Sequence, residues 1–316
     1  MTNYNLKIAF LISGMSRNYI YCSHTFKKCI FDNCNGDIFI SFKKNSRTYY
    51  SHDEINEKIQ IKKRYLIDDK INDLDFLKYL FKDKLKYFNY DDEEYIEKLV
   101  NDKLSTINDN LKNEIGILDQ YARVRNIAEK FEIYKNNNNV KYDIIVRLRL
   151  DKLWWVNDIK LDSYVFDKSK IYISYIDWHK SKYNEFTQWA QEFFIMGNVD
   201  LMLYIMKNFF DNIYNSYDFI LENELNKAPE MQFANFINSN KLLENKIINS
   251  DIRFNLCALY CDRPLYFSGY FVGTYKNVYN KLLQTFQNDN IPKNKTQNKN
   301  KTKNKTQNKK IFMKIL

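Results

Sequence analysis

The chain has few residues of the types that form glycine-rich loops, sharp turns and metal sites. Among its 316 residues there are 6 glycines, 3 prolines and 3 histidines. No GxxxxGK phosphate loop occurs, and neither do HExxH, GxSxG or zinc-finger spacings. Kinases with such a loop, zinc proteases, lipases and zinc fingers therefore find no support in the sequence.

The cysteines do not form a crosslinking pattern. There are five of them, so one would stay unpaired if the others were bridged, and none is part of a CxxC pair. No histidine stands at metal-ligand spacing from a cysteine. We expect free, buried thiols in a reducing compartment. The cysteines are Cys22, Cys29, Cys34, Cys257 and Cys261.

Long apolar runs are also absent. The longest candidate, Phe193–Phe210, is interrupted by polar residues such as Asp200 and Lys207, whereas a membrane helix needs roughly 18–20 apolar residues. The apolar run after Lys7 is short and suits a first strand better than a signal peptide. We expect a soluble, cytoplasmic protein without a membrane span, in the host cytoplasm if the source is viral.

The positive charge is concentrated at one end of the chain. Of the net charge of +10, nine lysines fall in the segment 293–314, which has no acidic residue, so residues 1–292 carry about +1. From about residue 288 the chain consists of Asn, Lys, Thr and Gln repeats, which predict a disordered tail over 288–316. A basic nucleic-acid-binding face on the folded part is not expected; binding of nucleic acid through the tail remains an alternative.

The rest of the chain has the composition and order of an α/β domain. Hydrophobic residues make up 45% of the sequence and aromatic residues 16%, enough for a substantial core. An apolar run over Leu6–Ile12 ends at Ser13-Gly14, a helical segment follows, and a second apolar run covers Asp37–Phe42. This order predicts a Rossmann-like, mostly parallel sheet flanked by helices, with a ligand-facing turn after the first strand. We expect one domain over residues 1–287, with a polar loop over 43–72.

The segment Tyr142–Asp151 is the most informative in the chain. Its first half is an apolar run typical of a buried strand, and its second half alternates, so that Arg147, Arg149 and Asp151 share one face. Two arginines and a carboxylate on a core strand are costly without partners. An anionic ligand and a metal at the end of the strand would supply them; a buried ion network with carboxylates of neighbouring helices is the alternative.

Four segments, taken in order, resemble a known family. They are Lys7–Tyr19 with the pattern SGxxRxY, Gly36–Ser41 with DxFI, a helix from Leu118 followed by the strand that ends RLRLD, and Glu192–Gly197 with ExFxxG. Together they resemble the glycosyltransferases of GT-A type found in giant viruses and in bacterial polysaccharide gene clusters. The resemblance covers roughly residues 6–240, and the order of the motifs carries it more than any single one.

The resemblance implies transfer of a sugar from a nucleoside diphosphate sugar to a glycan or other hydroxyl acceptor, with Mn²⁺ or Mg²⁺ bound through a DxD motif. Arg149-Leu150-Asp151 occupies the place of that motif, so arginine replaces the first acidic residue. Asp151 would be the metal ligand. Arg147 or Arg149 would contact the phosphates, and Arg149 could itself reduce the need for a metal. A degenerate domain that binds a nucleotide or glycan without turnover is the alternative.

The resemblance also assigns the remaining candidates. Backbone amides at Ser13 and Gly14 would receive the nucleotide, and Arg17 would contact its phosphates or base. If the reaction inverts configuration, a carboxylate must deprotonate the acceptor hydroxyl. The candidates for that base, in order, are Glu192, Asp177 and Glu230, each of which could instead have a structural or solvated role.

Overall fold

The computed structural model describes the chain between residues 6 and 249 with gaps. The described residues are 6–16, 19, 23, 26–27, 30–44, 46, 48–55, 58–66, 72–107, 114–150, 167, 169–177, 188–214, 232–234, 236–237, 240–243 and 247–249. For 48–55, 58–66, 174–177, 188–193 and 247–249 the description is of the backbone. All of these residues lie within the compact unit Met1–Phe271. The predicted tail over 288–316, and with it the predicted domain boundary, lies outside them.

The described strands form one large sheet and one hairpin. They are β1 (Ile8–Met15), β2 (Gly36–Lys43), β3 (Thr48–Ile55), β4 (Lys58–Leu66), β5 (Leu85–Tyr90), β6 (Ile144–Leu148), β7 (Ile171–Asp177), β8 (Gln188–Asn198) and β9 (Ile247–Asn249). The large sheet has the order β5-β2-β1-β6-β8-β7-β9. Six of its strands run in one direction and β8 runs against them. The predicted α/β class and mostly parallel sheet are confirmed.

The order of the strands creates a switch point in the sheet. The chain proceeds from β1 outwards to β2 and then to β5, and next returns to the other side of β1 as β6. In open α/β sheets, such a reversal leaves a crevice at the carboxyl ends of the two strands between which it occurs. Here those two strands are β1 and β6.

Helices cover both faces of this sheet. Those described in full are α1 (Asp73–Phe81), α2 (Glu93–Leu104), α3 (Ile115–Asn137) and α4 (Val199–Asn212). Helix α3 packs on β1 and β2, and it also contacts α2 and α4. Leu11 and Phe39 of the sheet share a core with Phe131 of α3. On the opposite face, Phe10 belongs to an aromatic cluster that includes Phe81 of α1.

Side-chain caps define where three of these helices begin. Asn72 accepts from the backbone N–H of Leu74 at 2.9 Å, and Asp92 accepts from that of Tyr95 at 3.2 Å. Asn198 accepts from the N–H of Asp200 at 2.9 Å, so β8 passes directly into α4. These caps satisfy amide groups that the first helical turn leaves without partners.

Two local expectations are wrong. Residues 43–72 are not a continuous loop, because β3 and β4 pair as an antiparallel hairpin within them; the alternation Ile59-Gln60-Ile61-Lys62 is a strand signal hidden in a polar stretch. The sequence over Leu74–Leu85 predicts a single helix, but the helix ends at Phe81, since Lys82 has a φ of 55°. The residues that follow form the edge strand β5.

The Asp-Ile-Phe-Ile pattern of the second strand has a structural explanation. Asp37 lies at the amino edge of the sheet, away from the switch point, and its side chain is buried. It accepts a hydrogen bond from the Tyr142 hydroxyl at 2.9 Å and lies 3.7 Å from Lys7 Nζ and 3.9 Å from Lys86 Nζ. Burial first, and then the nearby Asp37 carboxylate, raise the pKa of Tyr142. Asp37 therefore joins the starts of β1, β2, β5 and β6.

Two further expectations, about the cysteines and about membrane-spanning helices, concern residues that the structure describes in part. Of the five cysteines the structure describes Cys34, a thiol whose Sγ lies 3.5 Å from the carbonyl oxygen of Phe31. None of the described helices is long and apolar enough to cross a membrane. The sequence also predicts a strand over residues 252–259, which lies outside the described residues.

A pair of glycine substitutions tests the packing of the sheet. A Cβ at Gly197 of β8 would lie 2.6 Å from the Lys170 carbonyl oxygen and 2.8 Å from Ile171 Cα. Gly197→Ala should therefore lower the free energy of unfolding by about 1–3 kcal/mol. Gly116 of α3 has open space around the same position, so Gly116→Ala should raise it by up to about 1 kcal/mol. Urea unfolding measures both values, and shifts in the same direction would contradict this description.

Candidate functional site

The switch point brings together four of the residues predicted to bind the nucleotide. Ser13 and Gly14 lie near the carboxyl end of β1, and Arg147 lies near that of β6. The two strands pair with Leu11 opposite Arg147 and Ile12 opposite Leu148. Arg149 directly follows Leu148, the last residue of β6, and Ser13 directly follows Ile12, the residue of β1 that pairs with Leu148. The site therefore lies where the carboxyl ends of β1 and β6 are side by side.

Ser13 and Gly14 leave hydrogen-bonding capacity and space at this edge. The Ser13 side chain is 9% exposed, and its Oγ has no hydrogen-bond partner among the described residues. Buried hydroxyl groups are nearly always hydrogen-bonded, so such a group calls for an explanation. Gly14 has a φ of 113°, and a Cβ there would meet nothing within 4 Å. The backbone is thus accessible where the chain leaves β1.

The two arginines differ in burial. Arg147 is 2% exposed. Its side chain lies on the α3 face of the sheet, the same face as the core residue Ile145, because the two residues are two positions apart in β6. Arg149 is half-buried. A guanidinium carries its charge at every physiological pH, so this pair brings fixed positive charge to the end of β6.

The structure describes only some of the other residues predicted for the site. Arg17, Asp151 and Glu230 lie outside the described residues. Asp177 is the last residue of β7, and Glu192 belongs to β8 two residues before Phe194, the partner of Leu148. Because β8 runs against β6, the backbone of Glu192 lies beyond the carboxyl end of β6. The backbone thus places Glu192 and Asp177 at the same edge as Ser13, while their side chains are not described.

A buried arginine on α3 organises the neighbouring part of this edge. Arg123 is 0% exposed. Its Nε donates to Asp119 at 3.0 Å, and its Nη1 donates to Asp91 at 2.6 Å and Glu93 at 3.0 Å. Its Nη2 donates to Glu93 at 2.7 Å and Asp119 at 2.8 Å. A guanidinium has five N–H donors, so every donor of Arg123 is used.

This cluster extends to the end of β2. Asp91 directly follows β5, and its Oδ1 accepts from the Ser41 hydroxyl and, at 2.9 Å, from Asn126 Nδ2. Lys43 Nζ lies 3.4 Å from Asp119. Three carboxylates therefore surround two cationic groups. The cluster joins the carboxyl ends of β2 and β5 to the starts of α2 and α3.

The cluster holds Arg123 and Asp119 in their charged forms. Burial on its own would lower the pKa of Arg123, but hydrogen bonds to Asp119, Glu93 and Asp91 raise it above its usual value. Burial would likewise raise the pKa of Asp119, and the hydrogen bonds and charge of Arg123, with help from Lys43, bring it below its usual value.

These residues were not predicted from the sequence. An ion network around Arg147 was the alternative prediction, whereas the network that the structure describes in detail centres on Arg123. The available signal was the spacing of four between Asp119 and Arg123, which places their side chains on one helix face. Asp91 gave no signal, because its role depends on the end of β5, a strand that was not predicted from the sequence.

A second buried carboxylate, that of Asp73, forms hydrogen bonds at the same edge on the opposite face of the sheet. Asp73, the first residue of α1, accepts from the Tyr19 hydroxyl at 2.7 Å and from the Tyr90 hydroxyl at 2.8 Å. Tyr19 is the tyrosine of the SGxxRxY pattern. Its role in the structure is therefore to fix α1 against the segment that follows β1.

The described residues at the site suit an anion better than a metal cation. Within the described part of the chain, no group of three or more His, Cys, Asp or Glu residues is arranged to hold a metal. The carboxylates of Asp91, Glu93 and Asp119 are turned towards Arg123. A surface cavity of about 450 Å³ does not belong to this site, because it lies at the amino edge beside Tyr142 and Asn198.

Comparisons with known proteins add no identification. No family model matches the chain, and no curated protein matches it. Function is therefore inferred from the geometry of the site.

The charged state of Asp119 leads to a pH-dependent prediction. A carboxylate with a depressed pKa stabilises the fold above its unfolded-state pKa, and this contribution is lost as the pH falls through the folded-state value. Asp119→Asn should therefore destabilise the protein at pH 7, and its difference from wild type should shrink below about pH 4. Urea unfolding at pH 7, 5 and 3 measures this. Glu97→Gln, at an exposed position of α2, is the control and should match wild type throughout; a constant difference for Asp119→Asn would contradict the prediction.

Proposed function

We propose that this protein is a glycosyltransferase that transfers a sugar from a nucleoside diphosphate sugar to a glycan or another hydroxyl acceptor. The observation that carries the proposal is the meeting of Ser13 and Gly14 with Arg147 and Arg149 at the switch point. Ligands of open α/β sheets bind in the crevice at such a point. Cationic groups there suit a ligand with phosphate groups.

The arginines match the charge that develops in this reaction. When the bond to the anomeric carbon breaks, negative charge grows on the departing diphosphate. Guanidinium groups bind phosphate oxygens through two parallel N–H donors. Arg149, half-buried just past the end of β6, is our candidate for direct contact, and the buried Arg147 two residues before it adds positive potential in a region of low dielectric. Fixed charges of this kind need no reorganisation when the charge develops.

Ser13 and Gly14 support the binding of the same ligand. The Ser13 hydroxyl can donate to a phosphate oxygen, and the open space at Gly14 lets a ligand approach the backbone closely. Arg17 is three residues further on and belongs to the proposal as a second contact to the phosphates or base. These groups hold the nucleoside diphosphate in place while the sugar faces the acceptor.

Two parts of the proposal depend on residues whose side chains are not described. Asp151, two residues past Arg149, would hold a divalent cation, Mn²⁺ or Mg²⁺; hard cations accept few protein ligands when phosphates and waters complete their shell. The base that takes the proton of the acceptor hydroxyl is Glu192, with Asp177 and Glu230 next in order. The backbone of Glu192 and Asp177 at the same edge supports this ranking.

Binding without turnover is the second candidate function. It is favoured by Arg149, which stands where the related pattern has its first acidic residue. In a transferase with this substitution, either a cation held by Asp151 or Arg149 itself would stabilise the diphosphate. A protein that has lost turnover would keep nucleotide affinity but release no product.

A ligand screen tests the nucleotide site. Thermal unfolding is measured with UDP-, GDP-, CMP- and dTDP-sugars, each with and without Mn²⁺. A ligand at a hundredfold its Kd stabilises by about 2.7 kcal/mol, and at least one should do so for wild type. Arg149→Ala should lose most of the shift, and Asp151→Ala should lose its metal-dependent part. Arg125→Ala, which removes the ion pair between α3 and Asp211 at 2.7 Å, is the control and should retain the ligand shift. Failure of all donors to stabilise wild type would contradict the proposal.

Turnover separates the two candidate functions. With the donor identified by the screen, release of nucleoside diphosphate is followed with and without acceptor sugars. Wild type should release it, and Glu192→Gln should bind the donor normally while losing about 10²- to 10⁴-fold in rate, as expected for a general base. Donor binding without any release would favour the binding protein.

A further inference from the structure

A lysine lies at the carboxyl edge of the sheet, next to the end of β1. Lys43 is the last residue of β2, and it pairs with Met15, the last residue of β1. Its side chain lies on the α3 face, because it is four positions from the core residue Phe39 in the same strand. Strand β1 has β2 on one side and β6 on the other. Lys43 and the arginines of the site therefore come from opposite sides of β1.

Two buried serines fix the end of β2 relative to the end of β1. The Ser46 hydroxyl donates to the carbonyl oxygen of Lys43 at 2.6 Å. Its oxygen accepts from the backbone N–H of Ser16 at 2.8 Å and lies 2.9 Å from the Ser16 hydroxyl. Since the one hydrogen of the Ser46 hydroxyl is used, the Ser16 hydroxyl is the donor of that bond. These bonds hold the backbone of Lys43 close to Gly14, two residues before Ser16.

The ammonium group of Lys43 is held loosely. Its Nζ lies 3.4 Å from Asp119 Oδ1, whereas most N–H···O bonds are 2.7–3.2 Å long. The same oxygen already accepts from Arg123 Nη2 at 2.8 Å. The Lys43 side chain is 36% exposed, and an ammonium has three N–H donors. Lys43 can therefore donate to a ligand without giving up a strong bond to the described residues.

We propose that Lys43 is a second phosphate-binding residue: Lys43 and Arg149 contact different phosphate groups of one nucleoside diphosphate across the end of β1. The inference rests on the proposed function, because it assumes that this ligand binds at the switch point. Strands β2 and β6 are two strand spacings apart, roughly 9.6 Å, and two linked phosphates span this interval better than one. The Ser13 hydroxyl and the open backbone at Gly14 lie between the two cations. The arrangement favours nucleoside diphosphates over monophosphates.

The nearby carboxylates make the charge of Lys43 more important. Asp91, Glu93 and Asp119 carry three negative charges, and Arg123 balances one of them. With Lys43 the cluster has a net charge of −1, and without it −2. Loss of the lysine charge would therefore remove an attraction and add a repulsion for an anionic ligand.

Substitution of Lys43 tests its contact with the ligand. The Kd of UDP, GDP or dTDP, measured by calorimetry on the full chain, should rise about tenfold in Lys43→Gln, as expected for a charge-assisted hydrogen bond to a partly exposed group. Lys43→Arg keeps the charge and should stay within about threefold of wild type.

A lysine of the amino edge gives a matched control. Lys86 has a 31% exposed side chain and lies 3.9 Å from Asp37, so Lys86→Gln removes a similar ion pair and should leave the Kd within about twofold of wild type. A wild-type Kd for Lys43→Gln overturns the inference alone. Absence of binding by wild type to all three nucleotides overturns the proposed function and the inference with it.

The corresponding monophosphates test whether the two cations contact different phosphates. Both Lys43→Gln and Arg149→Gln should weaken binding of the diphosphate. Only one of the two variants should weaken binding of the monophosphate, because its single phosphate reaches one cation. A Lys43 that only holds Asp119 in place would change both ligands by the same factor. Equal losses for the two ligands in both variants would overturn the inference.

Chemical labelling of wild type keeps the test decisive if Lys43→Gln does not fold. Lysine amines are acetylated with acetic anhydride in the presence and absence of the diphosphate, and mass spectrometry gives the rate at each position. The ligand should slow acetylation of Lys43 at least about threefold and leave the rate at Lys86 unchanged. An unchanged rate at Lys43 with the ligand bound would show that the ammonium stays accessible and would overturn the inference.

Discussion

The carboxyl edge of the sheet depends on one buried guanidinium. Arg123 directs each of its five donors to one of three carboxylates, which come from the end of β5, the start of α2 and the start of α3. A buried ion cluster of this kind is a poor source of stability, because desolvation of the charges offsets much of their attraction. The cluster instead fixes the relative positions of these elements. A planar group with fixed donor directions allows few arrangements of its acceptors, so the elements that carry the acceptors are held in one arrangement.

The two edges of the sheet use charge in different ways. At the amino edge, Asp37 is enclosed by Tyr142 and two lysines, and these groups satisfy one another. At the carboxyl edge, Arg123 and its carboxylates are likewise complete, but within the described part of the chain Ser13 beside them is not. The polar groups at the amino edge satisfy one another and contribute only to stability. At the switch point, where a ligand would bind, the Ser13 hydroxyl has no hydrogen-bond partner among the described residues.

The sequence was sufficient for features that depend on local pattern. The apolar runs that became β1, β2 and β6 were recognised, as was α3, whose apolar residues recur every three or four positions. These patterns also led to the prediction that Ser13 and Arg149 belong to one site. The strand β5 was missed because Leu85–Tyr90 forms a half-buried edge strand, whose residues do not form an apolar run.

The Arg123 cluster could not be derived from the sequence for a related reason. Its members come from four elements and meet only because β5 lies next to β2 and α3 crosses above them. Asp91 and Glu93 look like ordinary residues before a solvated helix when they are read along the chain. Only the sheet order identifies them as partners of a residue some thirty positions away, and the sheet order was not available because β5 was not predicted from the sequence.

The position of β1 in the sheet has a consequence for synthesis of the protein. This strand is made before the others of the sheet, yet one of its two neighbours, β6, lies 136 residues later in the chain. At about 5–20 residues per second, the ribosome needs roughly seven to thirty seconds to bridge that interval. Throughout it, one edge of an entirely apolar stretch, Phe10 to Ile12, has no strand to pair with. The emerging chain therefore exposes its central strand to other chains and chaperones for far longer than its peripheral ones.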